Sequence, residues 1–187
     1  MVGVNDRALA FDRTCFYPGG GGQPSDDGTV RVGGGETLEI VSAHADTDEV
    51  VWHVTRSALS PALVGRSATL AVNRARRVAL TRHHTVLHVL NTIALRDYGG
   101  WITGVQIGVE QSRIDFKLDG LSAALCAELE GKVNAVLADA QACGGTHVAT
   151  TSDVGRFAIV RTENKGKINK RLYIRLDDPV SRADGRY

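Results

Sequence analysis

Cysteine is scarce in this chain of 187 residues: Cys15, Cys126 and Cys143 are three widely spaced positions. An odd, scattered set excludes a disulfide framework and fits a reducing compartment, where a cysteine near histidines is better read as a metal ligand. Excess charge of either sign is also missing, since 22 Lys and Arg against 21 Asp and Glu leave a formal +1. Any affinity for nucleic acid must therefore come from local clustering, not from overall charge. No apolar run approaches the roughly 20 residues of a membrane-spanning helix. Met1 to Arg7 lack the charged-then-apolar profile of a signal peptide. These absences predict a soluble, cytoplasmic protein without a membrane partner, and nothing in the sequence calls for a protein partner. Internal repeats are absent, and the only compositional tracts are glycine clusters at 19–22 and 33–35. Hydrophobic residues make up 43% and charged residues 23%, the ordinary mix of a globular chain long enough to bury a core.

The pattern along the chain changes once. Up to residue 72 the sequence is rich in Gly, Val, Thr and Asp. Thr37 to Val41, Glu49 to Val54 and Ser67 to Val72 read as strands of a small β-barrel or folded sheet. From residue 73 onward the signals alternate between helix and hairpin. Asn73 is an N-cap for a helix over Arg74 to Arg96, which has no Pro or Gly inside and ends at Tyr98-Gly99-Gly100. Val78, Val86, Val89, Leu90 and Ile93 form one apolar face, and Leu80, Leu87 and Leu95 another, which predicts a largely buried helix. Thr103 to Val109 and Ser112 to Leu118 read as a hairpin. Ser122 to Gln141 reads as a second helix, with Leu125, Leu129, Val133, Val136 and Leu137 on one stripe. Phe157 to Val160 and Leu172 to Leu176 read as strands about a turn at Asn164-Lys165-Gly166-Lys167. The expectation is an α+β chain: a barrel-like β domain over 1–72, then a domain over 73–187 with helices packed on an antiparallel sheet.

His84 and His88 are four apart in the first helix, which stacks both imidazoles on one face, within reach of a shared ion. Cys143-Gly144-Gly145-Thr146-His147 sets a thiolate and an imidazole four apart, with glycines that let the backbone curl. Three nitrogens and one sulfur suit zinc better than magnesium or calcium, which take oxygens. Either pair alone is weak, because a His pair at this spacing arises by chance often enough. Together they point to one site. His83 lies ~100° round the helix from His84 and reads as a surface residue or one behind the ligands. His44 and His53 read as packed or solvent-facing. Thr85 follows His84 where the zinc-peptidase helix carries Glu, which argues against a peptidase.

Phe16-Tyr17-Pro18-Gly19-Gly20-Gly21-Gly22-Gln23-Pro24 is a loop whose free N–H groups can cradle a phosphate or oxyanion, or simply a flexible hairpin. No Gly-Lys-Ser/Thr follows, so it is not a Walker loop, and it lacks the strand-turn-helix setting of a dinucleotide fingerprint. Arg74, Arg76, Arg77 and Arg82 open the first helix. Lys165, Lys167, Lys170 and Arg171 cluster at the late turn, as a solvated face or as contacts for RNA phosphates.

His84-Thr85-Val86-Leu87-His88 together with Cys143-Gly144-Gly145-Thr146-His147 resembles the zinc motif pair of the alanyl-tRNA synthetase editing domain and its free-standing AlaX-type relatives. The threonyl-tRNA synthetase editing domain has a similar pair. Phe16-Tyr17-Pro18 with the glycines and Gln23-Pro24 resembles the alanyl branch, as do Arg113-Ile114-Asp115-Phe116 and Asn164-Lys165-Gly166-Lys167.

The resemblance implies a trans-acting hydrolase that deacylates mischarged tRNA(Ala), Ser-tRNA(Ala) first and Gly-tRNA(Ala) second. It implies Zn2+ held by His84, His88, Cys143 and His147, with the mischarged tRNA(Ala) acceptor end as partner. By the same carry-over Thr14 and Gln23 match polar positions of the glycine-rich motif, with the expectation that Thr14 hydrogen-bonds the seryl hydroxyl and Gln23 orients substrate or water. Charge clustering makes Lys165, Lys167, Lys170, Arg171 and Arg77 the candidate tRNA contacts. Gly19 and Gly20 depart from the acidic or small polar residues common in relatives, and Cys15 from the usual Ala. Asp115 and Glu110 are general-base candidates by their nearness to the hairpin. Two other readings stay open: a tRNA-binding module with a purely structural zinc, and an editing hydrolase for another aminoacyl-tRNA.

Overall fold

A computed structural model describes residues 1–33, 35–138 and 147–178. The chain divides into two compact units, Met1–Arg77 and Val78–Tyr187.

The first unit is a six-stranded antiparallel sheet. Its strands are β1 (Gly3–Asn5), β2 (Ala8–Ala10), β3 (Gly28–Val32), β4 (Thr37–Ala45), β5 (Val51–Thr55) and β6 (Ala68–Val72), in the order β1-β2-β5-β4-β3-β6. The strands read from sequence at 37–41, 49–54 and 67–72 are β4, β5 and β6. The glycine-rich tract hid β3, although Val30 and Val32 point inward while Thr29 and Arg31 do not, the period of a half-buried strand. Gly28 opens it because a Cβ there would lie 2.2 Å from the Ala71 carbonyl oxygen on β6, so only glycine allows this approach. Val30, paired with Leu38 on one side and Leu70 on the other, packs with Leu9, Phe16, Val32, Ile40 and Ala43 into one core. The sheet is open and does not close into a barrel: β1 and β6 are its edges. The Met1 amino group donates to the Arg66 carbonyl at 3.0 Å and Gly65 N–H donates back to Met1 O at 3.1 Å.

The second unit carries the rest of helix α1 (Arg74–Tyr98), then β7 (Trp101–Gln106), β8 (Ser112–Lys117), α2 (Ala123–Ala138), β9 (Phe157–Asn164) and β10 (Asn169–Leu176). The four strands are antiparallel in the order β7-β8-β10-β9. Asn73 caps α1 as expected, its Oδ1 accepting the Arg76 N–H at 3.2 Å. Gly99, at φ +62°, turns the chain out of the helix, a backbone state that costs glycine little. Leu80, Leu87, Leu90 and Ile93 of α1 and Leu129, Val133 and Leu137 of α2 pack on Ile114 and Phe116 of β8 and Leu172 and Ile174 of β10. Each such fully buried side chain contributes about 1.5–3 kcal/mol.

Three expectations need correction. Val78 and Leu95 of α1 are 46% and 40% exposed, so the helix buries a stripe and not several faces. Val136, assigned to the apolar stripe of α2, is likewise exposed. The surface reading of His83 also fails: it is buried, at 3%, because it follows Leu80 by three and precedes Leu87 by four, and so falls on the core stripe.

Candidate metal centre

Helix α1 delivers two imidazoles to one place. The rings of His84 and His88 stack with centroids 4.9 Å apart and 16° between planes. His147 closes the group edge-on, its centroid 5.0 Å from each. One ligand atom from each of the three lies within 4.8 Å of the others, so this cluster can hold a metal ion. Cys143, the expected sulfur ligand, lies outside the described residues.

Hydrogen bonding sets the protonation of His147. The Thr85 hydroxyl donates to the Thr81 carbonyl at 2.9 Å, so its oxygen is left to accept. It accepts the Val148 N–H at 3.2 Å and faces His147 Nδ1 at 3.3 Å. An oxygen whose own proton is engaged needs a donor at Nδ1, which leaves Nε2 of a neutral ring as the bare nitrogen a metal requires. Burial pushes the His84 imidazole down to about 4, with the neighbouring His88 and His147 adding to the effect. Burial lowers His147 too, again helped by His88. Three imidazoles, with nothing but nitrogen among the described donors, suit a late first-row transition ion rather than magnesium or calcium.

In the sequence Thr85 is notable only for standing where the zinc-peptidase helix has glutamate. Its role has no sequence signal, since a mid-helix threonine ordinarily bonds its own helix.

The glycine-rich loop is an organised structure within the first unit. Gly19, Gly20, Gly21 and Gly22 all have positive φ, at 93°, 132°, 57° and 83°. Gly20 and Gln23 exchange two backbone hydrogen bonds, at 3.0 and 2.9 Å, and Gln23 is buried. Asp26, 1% exposed, accepts the Tyr17 N–H at 2.6 Å and pairs with Arg77, whose Nε donates at 2.8 Å and whose Nη2 also reaches the Cys15 carbonyl at 2.9 Å. The guanidinium of Arg77 thus staples the two ends of the loop. Thr14 is exposed, yet its hydroxyl lies 2.7 Å from Nε2 of His53, a fully buried residue to which the sequence pattern assigns no role.

At the late hairpin, Lys165 and Lys167 are exposed, with Lys165 3.1 Å from Glu163. Lys170 is buried, its ammonium donating to the Lys167 carbonyl at 3.2 Å. Arg171 grips both oxygens of Asp115 at 2.7 Å. That bond holds the Asp115 carboxyl below the usual range, so Asp115 is a fixed anion and a poor proton acceptor, contrary to its candidacy as general base. Glu110 is exposed and lines a cavity of about 400 Å³ with Arg82, His83 and Arg175.

Known proteins resemble this chain along its length. Residues 125–173 match the family model described as the threonyl and alanyl tRNA synthetase second additional domain. The chain is 28% identical to an alanyl-tRNA editing protein AlaX-M of Methanosarcina barkeri, over 94% of this chain and 91% of the relative. It is 24% identical to AlaX-M of Saccharolobus solfataricus, over 92% and 90%. It is 30% identical to an alanine–tRNA ligase of Methanobrevibacter smithii, over 94% of this chain but 23% of that enzyme. The chain is thus similar, over nearly its whole length, to alanyl-tRNA editing proteins and to the corresponding segment of alanine–tRNA ligases.

Proposed function

We propose that this protein hydrolyses the ester of mischarged tRNA(Ala), Ser-tRNA(Ala) foremost and Gly-tRNA(Ala) as a second substrate. The observation that carries the proposal is the three-imidazole cluster of His84, His88 and His147 in a chain similar along its length to alanyl-tRNA editing proteins. His84, His88 and His147 would hold zinc, with Cys143 as the fourth ligand that the family resemblance implies. When bound, zinc supplies Lewis-acid polarisation to an ester carbonyl. Thr14 hydrogen-bonds the seryl hydroxyl, Gln23 orients substrate or water, and the exposed Lys165 and Lys167 meet tRNA phosphates.

The need for such an activity follows from recognition energetics. A pocket built for alanine rejects serine, which adds one hydroxyl, by only about 100-fold. A site that recognises the hydroxyl positively clears the error, because an alanyl ester offers it nothing to bond.

The test is a panel of tRNA(Ala) charged with serine, glycine or alanine, plus a threonyl-tRNA, incubated with the protein before and after chelation and again after zinc is restored. Rapid deacylation of the seryl ester, slow loss of the alanyl ester, and activity that disappears with the metal and returns with it are expected. Full activity after metal removal overturns the zinc assignment. Binding of tRNA without turnover of any ester would make the protein a zinc-stabilised binding module instead, and preferred hydrolysis of the threonyl ester would move it to another branch.

A further inference from the structure

The polar groups around Thr14 form a chain whose direction can be worked out. His53 lies on β5 opposite Leu9 of β2, and its Nδ1 is 3.0 Å from the Leu9 carbonyl oxygen. A carbonyl can only accept, so Nδ1 carries the proton. Burial lowers the His53 imidazole below its ordinary range, which keeps the ring singly protonated and its Nε2 bare. Nε2 therefore accepts, and the Thr14 hydroxyl, 2.7 Å away, donates to it. The same Thr14 oxygen accepts the Phe16 N–H at 3.0 Å. Phe11 and Phe16 stand edge-on to the imidazole, with centroids 4.9 and 5.0 Å away at 75° and 82°, and hold the ring in place.

A hydroxyl has one proton and two acceptor positions. At Thr14 the proton and one acceptor position are used, and one acceptor position remains on an exposed side chain. We infer that His53 is a positioning residue that fixes Thr14 as a pure hydrogen-bond acceptor, so that the site selects an aminoacyl group able to donate a side-chain proton. This deepens the proposed function and rests on its assignment of Thr14 to the substrate. A seryl hydroxyl donates readily, whereas glycyl and alanyl groups have no side-chain donor. Without His53 the Thr14 hydroxyl rotates freely, can point its proton outward, and ceases to discriminate a donor from an acceptor.

Three measurements test this. A long-range proton–nitrogen correlation spectrum of the imidazoles should show His53 as the neutral tautomer protonated at Nδ1, with its Nε2 resonance moving in Thr14→Val. A ring protonated at Nε2 overturns the inference. Second, tRNA charged with 3-fluoroalanine, close to serine in size but without a proton to donate, should be cleared at the alanyl rather than the seryl rate. Clearance at the seryl rate overturns it. Third, the ratio of kcat/KM for seryl over glycyl ester should fall about tenfold in His53→Phe and in Thr14→Val, with no further fall in the double variant. His53→Gln, which can accept from Thr14 and donate to Leu9, should restore part of the ratio. Loss of both activities in parallel, with the ratio kept, would make His53 merely structural. A ratio unmoved by Thr14→Val defeats the assignment of Thr14 itself, and a ratio moved by Thr14→Val but not by His53→Phe defeats only the role of His53.

Discussion

The hydroxyl of Thr85, inside α1, accepts the backbone N–H of Val148 at 3.2 Å. Together with the approach of the same oxygen to His147 Nδ1 at 3.3 Å, this contact holds His147 and its neighbour against the helix that carries His84 and His88. It converts a local helical pair into a three-point cluster.

Thr85→Val keeps the shape of the side chain and removes both acceptor positions. Metal affinity should drop about tenfold, in line with the loss of a group that orients a ligand, while the far-ultraviolet dichroism of α1 and α2 stays intact. Zinc titration against a competing chelator measures it. Unchanged affinity would show that the strand of chain around His147 is held by other means.

Acid should weaken the metal-free fold through its buried histidines. In the folded chain burial, helped by the neighbouring Arg82, pushes His83 down to about 4 from the 6.5 of a free histidine, and burial brings His84 to about 4 as well. Between these values the unfolded chain binds more protons than the folded one. Stability is therefore complete above about pH 6.5 and falls as the pH drops toward 4, with His83 accounting for up to ~1.4 kcal/mol per pH unit. Urea denaturation of the metal-free protein from about pH 7.5 to about pH 4.5 measures the slope, which His83→Gln should flatten. A stability independent of pH in that window contradicts the assignment.

Asn134 ties α2 to the first residue of β9. Its Nδ2 donates to the Phe157 carbonyl and its Oδ1 accepts the Phe157 N–H, both at 2.9 Å. Asn134→Ala leaves both backbone groups of a buried residue unpaired and should cost about 2–3 kcal/mol, read as a lower urea midpoint with an unchanged m-value. Asn134→Asp keeps the acceptor and loses the donor, and should fall between the two.

The exposed turn lysines should matter to affinity and not to the ester preference. Lys165→Ala and Lys167→Ala should each reduce the slope of log affinity for tRNA against log salt by ~1. The seryl-to-glycyl ratio should stay at its wild-type value in both. Fluorescence titration of uncharged tRNA at several salt concentrations provides the slope, and identical slopes in wild type and variants would remove these lysines from the interface.

Local chemistry alone made α1, its Asn73 cap and its Gly99 stop legible, because each depends on residues within one turn. The same holds for the 84/88 pair and for strands β4 to β6 and β8 to β10, whose alternation survives in the sequence. Glycines masked β3, and β1 and β2, three residues each, are too short to show a period. What the tertiary structure decided lies at long range. His147 meets a helix some sixty positions earlier, His53 meets Thr14 across 39, and Asp115 is claimed by Arg171 across 56. Whether a polar side chain is a ligand, a core residue or a locked hydroxyl depends on which neighbours burial brings to it. That is fixed by the packing of both faces at once, and helical or strand periodicity by itself carries no record of it.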